Sequence, residues 1–92
     1  MIDIVLGAPT TTAITLSTGG SHVLPARTGQ FSVQCRTAAD IKLNSNSTFT
    51  THYVTIKSGT SYNSPVALFA DQTLYFSGTD ALVVEVITWP IR

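Results

Sequence analysis

Three side chains in this sequence are of the types that bind transition metals or act as nucleophiles near neutral pH: His22, His52 and Cys35. A zinc site uses three or four His or Cys ligands, with members of the set close in sequence. Here the three residues stand singly, so we expect no metal site. Cys35 alternates with Phe31 and Val33, which predicts a packed and inert thiol, because free Cys is among the most buried residue types.

The acidic side chains offer little for acid–base catalysis. They are Asp3, Asp40, Asp71, Asp80 and Glu85. Asp71 and Asp80 lie in turn contexts, where Asp commonly accepts backbone N–H groups. The sequence contains neither a glycine-rich phosphate loop nor a Gly-x-Ser-x-Gly nucleophile motif. We therefore expect a protein that is not an enzyme and has no cofactor.

Length and charge exclude several classes of partner. The chain has 92 residues with five basic and five acidic side chains, so its net charge is zero. A nucleic-acid partner is not expected, because binding phosphates requires clustered Lys and Arg. No apolar run approaches the ~20 residues of a transmembrane helix, so no membrane partner is expected. Met1 is followed by Ile2 and Asp3 without a basic region, and Cys35 is the single cysteine, which favours synthesis in a reducing cytoplasm.

Alternation of apolar and polar residues predicts strands throughout the chain. The clearest case is residues 30–36, where Phe31, Val33 and Cys35 share one face. The other predicted strands are 2–6, 12–17, a short piece near Val23, 40–44, 52–58 (with Val54 and Ile56 inward), 66–69, 73–77 and 81–88. Gly, Asn and Ser mark the turns between them. We expect one all-β domain over residues 1–92, a compact antiparallel β-sandwich or jelly-roll-like barrel of about eight or nine short strands.

Two segments depart from this alternation. Residues 81–89 are apolar on both faces except at Glu85, which predicts a strand that is either central and covered on both sides or covered by another subunit. Residues 1–6 are an apolar strand joined to the rest through Gly7, Ala8 and Pro9. Residues 1–11 are therefore either an edge strand of the domain's own sheet or an N-terminal arm that reaches a neighbour.

The order of these segments carries a family resemblance over residues 12–89, in strand rhythm and composition. Its residues are Ile14-Thr15-Leu16, Val23-Leu24-Pro25-Ala26, Phe31-Ser32-Val33-Gln34, Ile41-Lys42-Leu43-Asn44, Tyr53-Val54-Thr55-Ile56, Pro65-Val66-Ala67-Leu68, Gln72 to Gly78, and a closing strand that ends in Trp89. The pattern resembles small all-β virion proteins of tailed bacteriophages, especially capsid decoration (cement) proteins. The resemblance implies a protein of the outer capsid surface, made in the host bacterial cytoplasm, which binds the major capsid protein and itself as a homotrimer.

The residues expected at a protein interface are those to which the strand pattern assigns no role inside the domain. They are Ile2, Ile4, Leu6, Val83, Ile87, Trp89, Ile91 and Arg92. The first three would extend a neighbour's sheet by β-addition. A desolvated Trp often dominates a protein contact, which favours the C-terminal group. Arg27, Arg36 and Arg92 would meet acidic patches of a capsid.

Two alternatives stay open. The first is a tail, head–tail junction or fibre component of a virion. The second is a carbohydrate-binding module, in which Tyr53, Tyr62, Tyr75 and Trp89 stack against sugars. Packing in the core or at an interface competes with that role for the same aromatic residues.

Overall fold

The protein is described by a computed structural model over residues 5–49, 52–69 and 72–92. The described residues form eight β-strands and no helix. The strands are β1 (Thr10–Thr15), β2 (Gly20–Val23), β3 (Thr28–Cys35), β4 (Ile41–Asn44), β5 (Val54–Ile56), β6 (Ser61–Asn63), β7 (Thr73–Ser77) and β8 (Val83–Pro90). The predicted all-β class is confirmed.

The strands form two antiparallel sheets of four. The first sheet has the order β1-β8-β3-β6 and the second β2-β7-β4-β5. The pairs β1–β8, β2–β7, β3–β6 and β4–β5 are all hydrogen-bonded. The chain is therefore one long hairpin, with four strands in each arm, that is rolled into two sheets. This is the strand order of a jelly roll.

The core lies between the two sheets and follows the predicted alternation. On β8 the inward residues Val84 and Val86 are completely buried, and on β7 Leu74 and Phe76 are buried on the inner face of the other sheet. The remaining buried apolar side chains are Leu16, Leu24, Phe31, Val33, Ile41, Leu43 and Ile56. Cys35 packs against this cluster from the end of β3, as its alternation with Phe31 and Val33 predicts.

Turn residues act where the sequence places them. The backbone at Gly19 has a φ of +84°, and an added Cβ there would lie 3.0 Å from the carbonyl oxygen of Phe76. Asp80 accepts a hydrogen bond from the backbone N–H of Thr18 at 2.8 Å. This joins the β1–β2 turn to the β7–β8 turn and gives Asp80 the predicted structural role. Asp71 lies outside the described residues.

Two predictions for the middle of the chain are wrong in detail. The sequence predicts Val54 inside, but this residue is 43% exposed, because β5 is a three-residue strand at the edge of the second sheet. The sequence also predicts a strand at 66–69, whereas the regular strand is Ser61–Asn63, where Tyr62 is the single apolar residue. Residues 66–69 still run alongside the start of β3 and bond to it. The Ala67 N–H donates to the Gly29 carbonyl, and the Phe69 N–H donates to the Thr28 carbonyl.

Candidate functional site

The outer face of β8 carries a row of apolar side chains at the centre of the first sheet. Alternate residues of this strand are buried, so Val83, Ile87 and Trp89 point away from the core and are half-buried. We call these three residues the β8 row. Glu85 is the fourth outward residue of the strand. β8 lies between β1 and β3, so it is a central strand of its sheet, while its outer side chains remain partly exposed.

The strands beside the β8 row present short or polar side chains. Ile87 lies opposite Thr11 on β1 and Ser32 on β3, and Trp89 lies opposite Gln30. Residues that are directly opposite in antiparallel strands share a face. The β8 row is therefore a line of apolar side chains that is flanked by Thr, Ser and Gln.

A polar cluster interrupts the row at Glu85. The Glu85 carboxylate accepts hydrogen bonds from Gln34 Nε2 at 2.9 Å and from Arg36 Nε at 3.0 Å. These bonds, and after them the charge of Arg36, lower the pKa of Glu85, although partial desolvation opposes the shift. Arg36 is thus engaged within the chain and ties β3 to β8.

The predicted interface residues at the two chain ends lie together. Leu6 pairs with Ile91, Gly7 N–H donates to the Pro90 carbonyl at 2.7 Å, and Arg92 N–H donates to the Val5 carbonyl at 2.7 Å. Leu6 is therefore placed at the edge of the chain's own sheet, next to β8. Ile2 and Ile4 lie outside the described residues.

The structure thus groups Val83, Ile87 and Trp89 on one sheet face, with Leu6, Ile91 and Arg92 beyond the end of the same strand. Their contact with a partner stays a prediction. Arg27, by contrast, lies in the turn before β3, with a φ of +62°, and its carbonyl accepts the Ile91 N–H.

A second surface, which the sequence does not predict, is a cleft at the open side of the sandwich. The edge strands β5 and β6 stand on this side, away from β1 and β2. The cleft has a volume of about 540 Å³ and its lining is mainly apolar. The lining residues are Phe31, Leu43, Asn44, Ser45, His52, Tyr53, Val54, Tyr62, Phe69, Gln72 and Leu74. We call it the open-side cleft.

The four aromatic residues considered for sugar stacking are separated by the fold. Tyr53 and Tyr62 both line the open-side cleft. Tyr75 lies on the outer face of the second sheet, opposite Ser21 and Asn44. Trp89 lies on the outer face of the first sheet. A platform of all four rings does not form.

The residue types that bind metal ions are scattered over the described part of the structure. Within residues 5–49, 52–69 and 72–92, no three His, Cys, Asp or Glu side chains are grouped so as to hold a metal ion. His22 lies opposite the buried Leu74, and burial lowers the pKa of its imidazole. Its Nε2 is fully buried and has no hydrogen-bond partner among the described residues.

Comparisons of the chain with protein families, curated proteins and solved structures give no match. The part of the chain that the structure describes has no helix able to cross a membrane.

Proposed function

We propose that this protein is a non-enzymatic structural protein of a bacteriophage virion, which binds the major capsid protein on the outer capsid surface and stabilises the shell as a homotrimer. The proposal starts from the resemblance of the sequence to capsid decoration proteins. The observation that supports it in the structure is the β8 row.

The β8 row is unusual for a sheet face that meets only water. Such a face normally presents polar side chains, because the opposite face already supplies the core. On β8 the core side is complete with Val84 and Val86, yet Val83, Ile87 and Trp89 follow on the outer side. Covering these side chains with another protein removes apolar area from water and stabilises the complex.

The composition is better suited to an apolar contact with another protein than to a contact with a highly charged partner. The net charge is zero and 11% of the residues are charged. Arg36 is bound to Glu85 within the chain. Association through the β8 row would therefore depend on shape and apolar contact, with Trp89 as the large aromatic anchor typical of a binding hot spot.

A decoration protein of this kind acts through binding free energy alone. Its sites exist only on the closed shell, so each bound copy favours that shell over open or expanded forms. Many copies on one capsid add their modest individual contributions. No covalent step and no titrating side chain is required.

The direct test mixes the purified protein with capsids of the same phage that lack it, and measures co-sedimentation. The proposal predicts saturable binding and a higher temperature of capsid disruption. Gold labelling of intact virions should then mark the head surface. A protein that ignores the capsids, or a label confined to the tail or its fibres, would refute the proposal.

A further inference from the structure

The open-side cleft combines an apolar floor with polar atoms at its rim. Its floor is part of the core: Phe31, Leu43 and Leu74 are at most 5% exposed and yet line the cleft. Small-molecule sites are typically concave, mainly apolar and about 300–1,000 Å³ in volume, and the 540 Å³ of this cleft falls within that range.

Aromatic rings form one wall and the rim. Phe31 contacts Phe69 edge to face, with ring centroids 5.2 Å apart, and lies 5.9 Å from the ring of Tyr62. This cluster fixes the wall on the side of the first sheet. On the opposite rim Tyr53 is 40% exposed, and Lys42 Nζ lies 4.6 Å from its ring centroid. That cation–π contact restrains the Tyr53 ring at the mouth of the cleft.

Several polar side chains that line the cleft can bind a ligand. The hydroxyl groups of Ser45, Tyr53 and Tyr62 and the side-chain amide of Gln72 make no hydrogen bond to any described residue. Asn44 differs, because its amide already binds the Thr48 carbonyl and the Ser45 N–H. The three hydroxyl groups and the Gln72 amide together offer both donors and acceptors.

The formal charge that the described residues bring to the cleft stands at its rim, where Lys42 Nζ lies over the Tyr53 ring. Among the described residues that line the cleft there is no Asp, Glu, Lys or Arg. An ionic ligand would find no opposite charge among these lining residues, and the Lys42 ammonium at the rim is already engaged with the Tyr53 ring. The ligand that fits is neutral, carries many hydroxyl groups and has an apolar face.

We propose that the open-side cleft binds a neutral carbohydrate, a mono- or disaccharide unit of a larger glycan. The C–H face of a sugar ring packs on Tyr53 and the apolar floor, while its hydroxyl groups bind the Gln72 amide and the Ser45 hydroxyl. This inference does not rest on the proposed capsid role, since the β8 row lies on the outer face of the first sheet and the cleft opens between the sheets.

The test is a nuclear magnetic resonance titration of isotope-labelled protein with glucose, galactose, N-acetylglucosamine, maltose, cellobiose and lactose. We expect at least one sugar to give saturable shifts of the backbone amides of Ser45, Tyr62 and Gln72, with a dissociation constant of about 1–10 mM. Tyr53→Ala and Gln72→Ala should each weaken binding about fivefold or more. Tyr75→Ala is the matched control, because Tyr75 lies on the outer face of the second sheet, and it should bind like the wild type.

Three results would overturn the proposal. The first is no shift with any of these sugars at about 50 mM, well above the expected dissociation constant. The second is a response of the cleft amides only to an apolar dye. The third is a response of the same amides to protein concentration alone, which would assign the cleft to a second copy of the chain. Capsid co-sedimentation is measured separately, so either proposal can fail without the other.

Discussion

His22 is the residue at which acid should act on this fold. Its side chain shares a face with the buried Leu74, and its Nε2 is enclosed without a hydrogen-bond partner among the described residues. Charging that imidazole would place a proton, and a positive charge, between the sheets. Burial therefore lowers its pKa below the usual 6.5.

The consequence is a stability that falls on acidification. The unfolded chain binds a proton at His22 more readily than the folded chain does. The contribution of neutral His22 to the free energy of unfolding is therefore complete above pH 6.5. It is lost as the pH falls from that value towards the lower pKa that His22 has in the folded protein. Urea unfolding at neutral pH and at about pH 5.5 measures this loss.

His22→Gln should reduce the loss of stability between those two pH values. Ser21→Ala is the control, because Ser21 lies on the exposed face of the same strand, and it should keep the wild-type pH dependence. If His22→Gln leaves that dependence unchanged, the burial of a neutral imidazole is not its origin.

Leu16 occupies a site shaped by two glycines. It is 1% exposed, and a Cβ added at Gly20 would lie 2.9 Å from its Cδ2 and one at Gly78 3.1 Å from its Cδ1. We expect Leu16→Ala to lower the free energy of unfolding by about 2–5 kcal/mol. Gly20→Ala should cost about 1–3 kcal/mol, since the core would be overpacked.

The two substitutions should not be additive. Once Leu16 is truncated, the Cβ that Gly20→Ala introduces meets less resistance, so the double variant should lose less stability than the sum of the two single changes. Denaturant unfolding of the wild type, the two single variants and the double variant measures this coupling. Strict additivity would mean that the backbone conformation at position 20 requires Gly, and that the space beside Leu16 does not.

At the scale of elements, alternation predicts the long strands well and the short edge strands poorly. Phe31, Val33 and Cys35 share the inward face of β3 as expected, because a strand buried on one side repeats every two residues. β6 escapes prediction since Ser61 and Asn63 are typical turn residues beside a single Tyr62. Its pairing is set by contact with β3, which is distant in sequence.

The N-terminal segment is the element whose role the sequence leaves open. Residues 5–7 bond to residues 90–92 of the same chain. Deleting residues 1–9 should therefore lower the free energy of unfolding by about 1–3 kcal/mol, as two backbone hydrogen bonds and the Leu6 contact are lost. The oligomeric mass, measured by light scattering, should not change. A lower mass at unaltered stability would instead assign this segment to a neighbouring subunit.

At the scale of the whole molecule, the β8 row and the open-side cleft lie on different parts of the surface. The β8 row depends on one strand, so its residues can be named from the sequence: Val83, Ile87 and Trp89 repeat every two or four positions. The residues of the open-side cleft cannot be named from the sequence. They come from four strands that only the folded hairpin brings together, as Phe31, Leu43, Tyr62 and Leu74 show. In the sequence, the signal for this cleft is that Tyr53 and Tyr62, two of the four candidate sugar-stacking residues, both line it.

The neutrality of the molecule predicts how salt should act on capsid binding. If the β8 row makes the contact, raising the salt concentration from about 0.1 M to about 1 M should leave the affinity nearly unchanged, because screening acts on charges and not on apolar contacts. Co-sedimentation at both concentrations measures this. A loss of binding at high salt would instead favour a contact made by Arg27 or Arg92.

We expect the capsid to bind the β8 row and not the sandwich surface in general. A matched pair of variants separates these cases: Ile87→Thr on the outer face of the first sheet, and Val23→Thr on that of the second, where Val23 is 63% exposed. Both changes keep a β-branched side chain that suits a strand, and their thermal unfolding is recorded beside that of the wild type.

The measurement is the affinity of each variant for undecorated capsids. Ile87→Thr should weaken binding about tenfold or more while Val23→Thr binds like the wild type. Equal affinities for the two folded variants would contradict the assignment of the capsid contact to β8.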